Sequence, residues 1–383
     1  MAFGKKRTIS LDPFDYSLML LGEAKCGKTT LLKEVCEKLG GEDGYMLVEL
    51  GSERGADAIA GANYVNCPEW WYDYDEEDNA VGFGELVDDI CENKASEYPD
   101  LRVIILDTYD KAIEIAEQEA IRIYNRTLKK DGKPPITSIN ACDGGYGRGE
   151  KSAMKLIGEV KERLRKVGVQ TWIIGHVKNK EVTDVITGNS YTVLSSDQQS
   201  NYFNYIKKDL HFLGLAYVDR DIIVEQKKTN KGVDKQKKNY KVTGESRKIK
   251  FRSDDYTVDS GSRFADIVDE ITMDADEFIK AIEDAIKAEA SKSGTPIAEQ
   301  KKTQAKAKAK KVEKITEQEV EAKAESELED MIEQITAFIK EHKSEMQVCK
   351  VIINALKAHG YSKPSEIDDV SVASEVLALC MTM

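Results

Sequence analysis

At 383 residues, with 41 % hydrophobic and 33 % charged residues, the chain can build one large domain and a small one. No apolar run approaches the roughly 20 residues that span a bilayer, and no apolar stretch of signal length follows the basic residues of MAFGKKRTIS, so no membrane role is read and a cytoplasmic location is expected. A net charge of −13 speaks against a protein that binds nucleic acid over its whole surface.

The first element is an apolar strand-like run over 17–21 that feeds directly into GEAKCGKTT at 22–30. That stretch fits G-x-x-x-x-G-K-[ST] in full, with Gly22, Gly27, Lys28 and Thr29 at the fixed positions. A helical pattern over 28–39 follows, with Leu31, Leu32 and Val35 on one face and Lys33, Glu34 and Glu37 on another. Strand, glycine loop and helix in that order are the setting of a phosphate-binding P-loop. Gly22 and Gly27 permit backbone angles that turn successive N–H groups around a phosphate, and the helix start points its positive dipole end at the same place. The expected nucleotide-binding set is Gly22, Glu23, Ala24, Lys25, Cys26, Gly27, Lys28, Thr29 and Thr30. Lys28 would reach the β- and γ-phosphates, and Thr29 would ligate Mg²⁺. No Asn-Lys-x-Asp guanine motif occurs, which favours ATP.

Strands are expected at 45–50, 102–107 and 169–175, and helices at 82–97, 110–130 and 150–167. The acidic and aromatic loop before residue 82 and the glycines at 144–149 separate them. Continuous apolar strands alternating with helices mean a mainly parallel sheet covered on both faces. Right-handed crossovers then gather the strand C-termini on one edge beside the P-loop. Asp107 ends the strand VIILD on that edge and is the expected second Mg²⁺ ligand. A carboxylate after the second strand would orient the attacking water, with Glu53 favoured and Glu49 as the alternative. His176 follows the apolar WIIG and is expected to sense the γ-phosphate and pass its state to 177–200, which includes Lys178 and Lys180.

Past residue 180 a hairpin is expected over 182–194, turning at Gly188-Asn189, and a second over 210–226, turning near Asp219-Arg220. A strand over 249–252 and a helix over 264–290 close this part. Between Lys227 and Lys250 ten basic residues face only Asp234 and Glu245, which makes either a phosphate-gripping face or a solvated loop. Residues 291–326, rich in Lys, Ala, Glu and Gln, read as a linker that is helical in part at best. Apolar residues then recur at helical spacing in 327–383, a small helical module that a protein partner could use for docking. The seven cysteines are scattered with no C-x-x-C pair, so neither a disulfide framework nor a zinc site is expected.

Taken together, GEAKCGKTT, the acid in SERG, the VIILDT strand and the strand ending at His176 resemble the RecA-like ATPase core over about 12–290. The short lead before the P-loop, WIIGHVK, and the stretch from IKFR at 249–252 to GSRF at 261–264 are similar to phage-encoded Sak-type single-strand-annealing ATPases. The resemblance implies ATP- and Mg²⁺-dependent binding of single-stranded DNA, recombination or annealing, and assembly of a homo-oligomeric ring or filament. By motif position it assigns Lys28 and Thr29 to phosphate and metal, Glu53 to water activation, Asp107 to Mg²⁺ and His176 to sensing. Such sites often lie between subunits, so a basic finger from a neighbour is expected, with Arg247, Lys248, Lys250 and Arg252 as candidates. His176 stands where RecA has glutamine, and the 291–383 extension lies outside the RecA core. The rival reading is a nucleotide-gated loader that recruits a replication or recombination protein through its C-terminal helices.

Overall fold

The computed structural model describes residues 8–51, 55, 58–184, 187–227, 237–252, 258–343 and 346–382. The chain forms two compact units, one of Met1–Glu92 with Glu97–Ala307, the other of Asn93–Ser96 with Lys308–Met383.

The larger unit is a mixed α/β fold. Its strands are β1 (Leu18–Gly22), β2 (Tyr45–Leu50), β3 (Tyr64–Cys67), β4 (Val103–Asp107), β5 (Gln170–Thr183), β6 (Ser190–Ser196), β7 (Phe212–Lys227), β8 (Lys237–Lys250), β9 (Gly261–Ser262) and β10 (Glu270–Thr272). The path through the sheet is β10-β8-β7-β1-β5-β4-β2-β3, with β6 on β5 and β9 on β7. From β7 to β3 every pairing is parallel, whereas β8, β10, β6 and β9 pair antiparallel.

Alternation along the strands splits the core between the two faces. Leu18, Leu20, Leu47, Ile105, Trp172 and Ile174 pack on one side with α1 (Lys28–Gly40) and α6 (Ala275–Ser291). Met19, Leu21, Val48, Ile104 and Ile173 pack on the other with α2 (Phe83–Glu92), α3 (Tyr109–Lys130), α4 (Arg148–Val167) and α5 (Ser200–Lys207). Burial of Cys36 and Cys67 raises both thiols above their ordinary range. Gly149 sits where α4 meets the preceding loop. A Cβ there would lie 2.3 Å from the Ile139 carbonyl oxygen and 2.6 Å from Cys142 Cβ. Gly149→Ala should therefore cost about 1–3 kcal/mol, read as a lower thermal midpoint.

Several elements differ from expectation. No turn forms at Asp219-Arg220: β7 continues through it, with a register shift between Asp221 and Ile222, and pairs with β8 as far as Lys227 and Lys237. Polar residues are at home in this ribbon because they find partners across it, Lys248 meeting Asp219 at 2.9 Å and Arg220 meeting Glu245 at 3.8 Å. The expected helix over 264–290 begins only at Ala275, where Asp274 caps it by accepting from the N–H of Asp276 and Glu277. The residues before it supply the edge strands β9 and β10. The first hairpin forms with Gly188 at φ +71°, but its first strand is a continuation of β5 rather than a separate element.

The smaller unit is helical. Of residues 291–326, expected to be helical only in part, 297–326 belong to α7 (Ile297–Glu341), a run of 45 residues. Alanine, lysine, glutamate and glutamine all favour helix, which outweighs the lack of an apolar face over its first half. The C-terminal part of α7 joins α8 (Met346–Ala358) and α9 (Val370–Met381) around Ile335, Ile352, Leu356, Ala373, Val376 and Cys380. Val351 on α8 is 41 % exposed. No helix among the described residues is long and apolar enough to cross a membrane.

Candidate active site

The C-terminal ends of the parallel strands form one edge, and register brings the acidic and basic residues to it. Gly22 is opposite His176 on one side and Ala216 on the other. Asp107 is opposite Ile174 and Glu49. Glu49, Asp107 and His176 each lie two residues beyond a core residue of the α1 face (Leu47, Ile105 and Ile174), so all three stand on that face at its polar rim.

The loop between β1 and α1 takes the shape a phosphate cradle needs. Lys25 has φ +63° and Gly27 has φ +101°, both in the left-handed region. No side chain caps α1, so its first N–H groups face the loop mouth. Gly22 is required for a different reason than expected. A Cβ on it would lie 2.8 Å from the Ala216 carbonyl oxygen and 3.1 Å from Cys26 Sγ, so its role is close packing against β7. Glu23, Ala24, Lys25 and Thr30 are exposed, and Cys26 is buried.

Lys28 is only 5 % exposed, and its ammonium donates to the carbonyls of Gly22 at 3.0 Å and Glu23 at 2.8 Å. Thr29 Oγ1 donates to Asp107 Oδ2 at 2.6 Å, which joins the two expected metal ligands across the sheet. Burial holds the Asp107 carboxyl above the ordinary aspartate range, against the opposing pull of Thr29, Lys28 and His176. A hydroxyl and a carboxylate are hard oxygen donors, and with the cradle beside them they fit Mg²⁺ on a nucleotide. When bound there, Mg²⁺ would neutralise charge on the β- and γ-phosphates.

Glu49 is 2 % exposed and stands beside Asp107. Glu53 lies outside the described residues. His176 Nδ1 is 3.5 Å from Asp110 Oδ1. Burial alone would raise Asp110, but the imidazole beside it prevails and holds that carboxyl below the ordinary range.

Of the four finger candidates, Arg247 is beside the P-loop of its own chain. Its Nη1 lies 3.4 Å from where a Cβ on Gly27 would stand. Lys248 is held by Asp219 and Glu270, and Arg252 donates to the Phe264 carbonyl at 3.1 Å. Sequence reasoning missed Asp110 and Asp197. Asp110 stands in the first turn of α3, three residues after Asp107, and was legible as a neighbour, whereas Asp197 reaches His176 only through the return of β6.

The family described as an AAA domain matches residues 15–248, from ahead of β1 almost to the end of β8. No curated protein matches the chain. With more than half of its 383 residues matched, the chain belongs to the AAA domain family and is an AAA-type P-loop ATPase.

Proposed function

We propose that this ATPase works on single-stranded DNA, in recombination or annealing of the phage type, in the cytoplasm of a bacterial host and as a homo-oligomer. The observation that carries the reading is where two ribbons take root. The strands flanking β1 both continue past the sheet edge: β5 beyond His176 into the β5–β6 hairpin, and β7 beyond Ala216 into the β7–β8 ribbon. His176 and Ala216 are the two register partners of Gly22, so the nucleotide loop lies between the roots. Lys178 and Lys180 lie on one ribbon, and Lys227, Lys237, Lys238, Lys241, Arg247, Lys248 and Lys250 lie on the other. Basic ribbons grip a phosphate backbone, and an exposed Tyr191 on the first offers a surface for base stacking.

ATP is held by the loop amides and Lys28, with Mg²⁺ on Thr29 and Asp107. The water-orienting carboxylate comes from the end of β2, where Glu49 stands beside Asp107 and Glu53 follows in sequence. Arg247 stabilises the charge that develops on the γ-phosphoryl oxygens. His176 links phosphate state to the first ribbon.

Hydrolysis by the purified protein is expected to rise at least severalfold with single-stranded DNA. The stimulation should fall steeply as salt rises, because phosphate contacts release counterions. Hydrolysis indifferent to DNA would overturn this reading. It would favour the loader instead, for which the separate core around Ile335, Ile352 and Val376 is the supporting observation.

A further inference from the structure

Three side chains from three elements converge at the root of the β5–β6 ribbon: Asp110 in the first turn of α3, His176 on β5, and Asp197 just past β6. One ligand atom from each lies within 4.8 Å of the other two. The Asp197 N–H donates to the His176 carbonyl at 3.1 Å, which ties the return strand to this point. Asp110 Oδ1 and Asp197 Oδ1 are sealed from solvent; the His176 imidazole stands 3.5 Å from the first, and no neighbouring side chain among the described residues donates to the second. Thr108, 1 % exposed, buries its Oγ1 beside Asp110 and helps keep that carboxylate ionised. Buried carboxylate oxygens are normally satisfied by donors or by a cation, because leaving them bare is costly.

We propose that Asp110, His176 and Asp197 form a binding site for a first-row divalent transition cation, separate from the Thr29–Asp107 magnesium position. One imidazole and two carboxylates combine a nitrogen with hard oxygens. Such a set suits Mn²⁺ or Zn²⁺ better than Mg²⁺, which prefers an all-oxygen octahedron. With bonds of ~2.1 Å, ligand atoms around a metal lie ~3–3.5 Å apart, so no pair needs to close by more than ~2 Å. The ion fastens the helix that follows the Asp107 strand to both strands of the β5–β6 ribbon. Its occupancy therefore sets how rigidly that ribbon is held at the nucleotide edge.

The test is an Mn²⁺ titration of the full-length, untagged, nucleotide-free protein, read by electron paramagnetic resonance of the free ion. One Mn²⁺ per chain should bind and be displaced by Zn²⁺. Asp197→Asn and Asp110→Asn should each weaken binding at least tenfold, as should His176→Ala, whereas Thr29→Ala should not. The asparagine variants keep side-chain size, and thermal melting reports their fold directly: Mn²⁺ should raise the midpoint of the parent protein and not of the variants. Absent binding, binding that survives all three ligand substitutions, or binding lost with Thr29→Ala would each overturn the site.

Discussion

Lys28→Ala should reduce ATP hydrolysis by on the order of 10³-fold or more and weaken ATP binding at least tenfold. The side chain is nearly buried, and its ammonium is fixed at the loop mouth by the carbonyls of Gly22 and Glu23. A positive charge held there, away from bulk water, interacts with phosphate oxygens far more strongly than a solvated lysine would. Its removal leaves the developing charge to the loop amides, Arg247 and the metal alone. Arginine should not rescue, because a planar fork cannot fold back onto two carbonyls of its own loop as a flexible ammonium does. Fold should survive, since the loss strands only two carbonyl acceptors at the loop mouth, worth about 1 kcal/mol each. Radiolabelled phosphate release, nucleotide titration and thermal melting in parallel separate these effects. Lys28→Ala protein that melts normally and still hydrolyses ATP at a substantial rate would show that the chemistry lies elsewhere.

Much of this edge could be read from residue order. The P-loop, the acid ending VIILD and the histidine ending WIIG are each local signals, and parallel strands separated by helices place such strand ends together. Period-two counting carries further than it was taken. Leu47 faces α1, so Glu49 must face it too, as Asp107 does after Ile105. Strand lengths past the edge were not legible. Asp219-Arg220 interrupts an apolar run and reads as a turn, yet both residues find partners across the ribbon, and only the other strand could show that. The helix of α7 was hidden for the opposite reason: its composition favours helix strongly, but a reading that weights apolar periodicity sees no face to bury. The Asp110–His176–Asp197 meeting depends on the hairpin running on past its expected ends, which sets Val177 opposite Ser196 and His176 beside Asp197.

Arg247→Ala should lower the maximal rate by roughly 10²–10³-fold while changing ATP affinity by less than tenfold. The guanidinium is exposed and stands beside Gly27 rather than in the network around Lys28 and Asp107. That position suits a donor whose contact strengthens as charge moves onto the phosphoryl oxygens, so its loss falls on turnover rather than on binding. Lysine at 247 should restore only part of the rate, since it supplies charge without the fork. The sheet sets the arginine near its own loop: Arg247 is opposite Val218 on β7, and β7 pairs with β1 directly ahead of the loop. Mixing Arg247→Ala with Lys28→Ala subunits tests this. If the arginine acts on its own loop, no subunit in the mixture is complete and hydrolysis stays at background. If it reaches into a neighbour, Lys28→Ala subunits lend their arginine to intact loops and activity returns. Recovery in the mixture would overturn the assignment within one chain and place the ATP site between subunits.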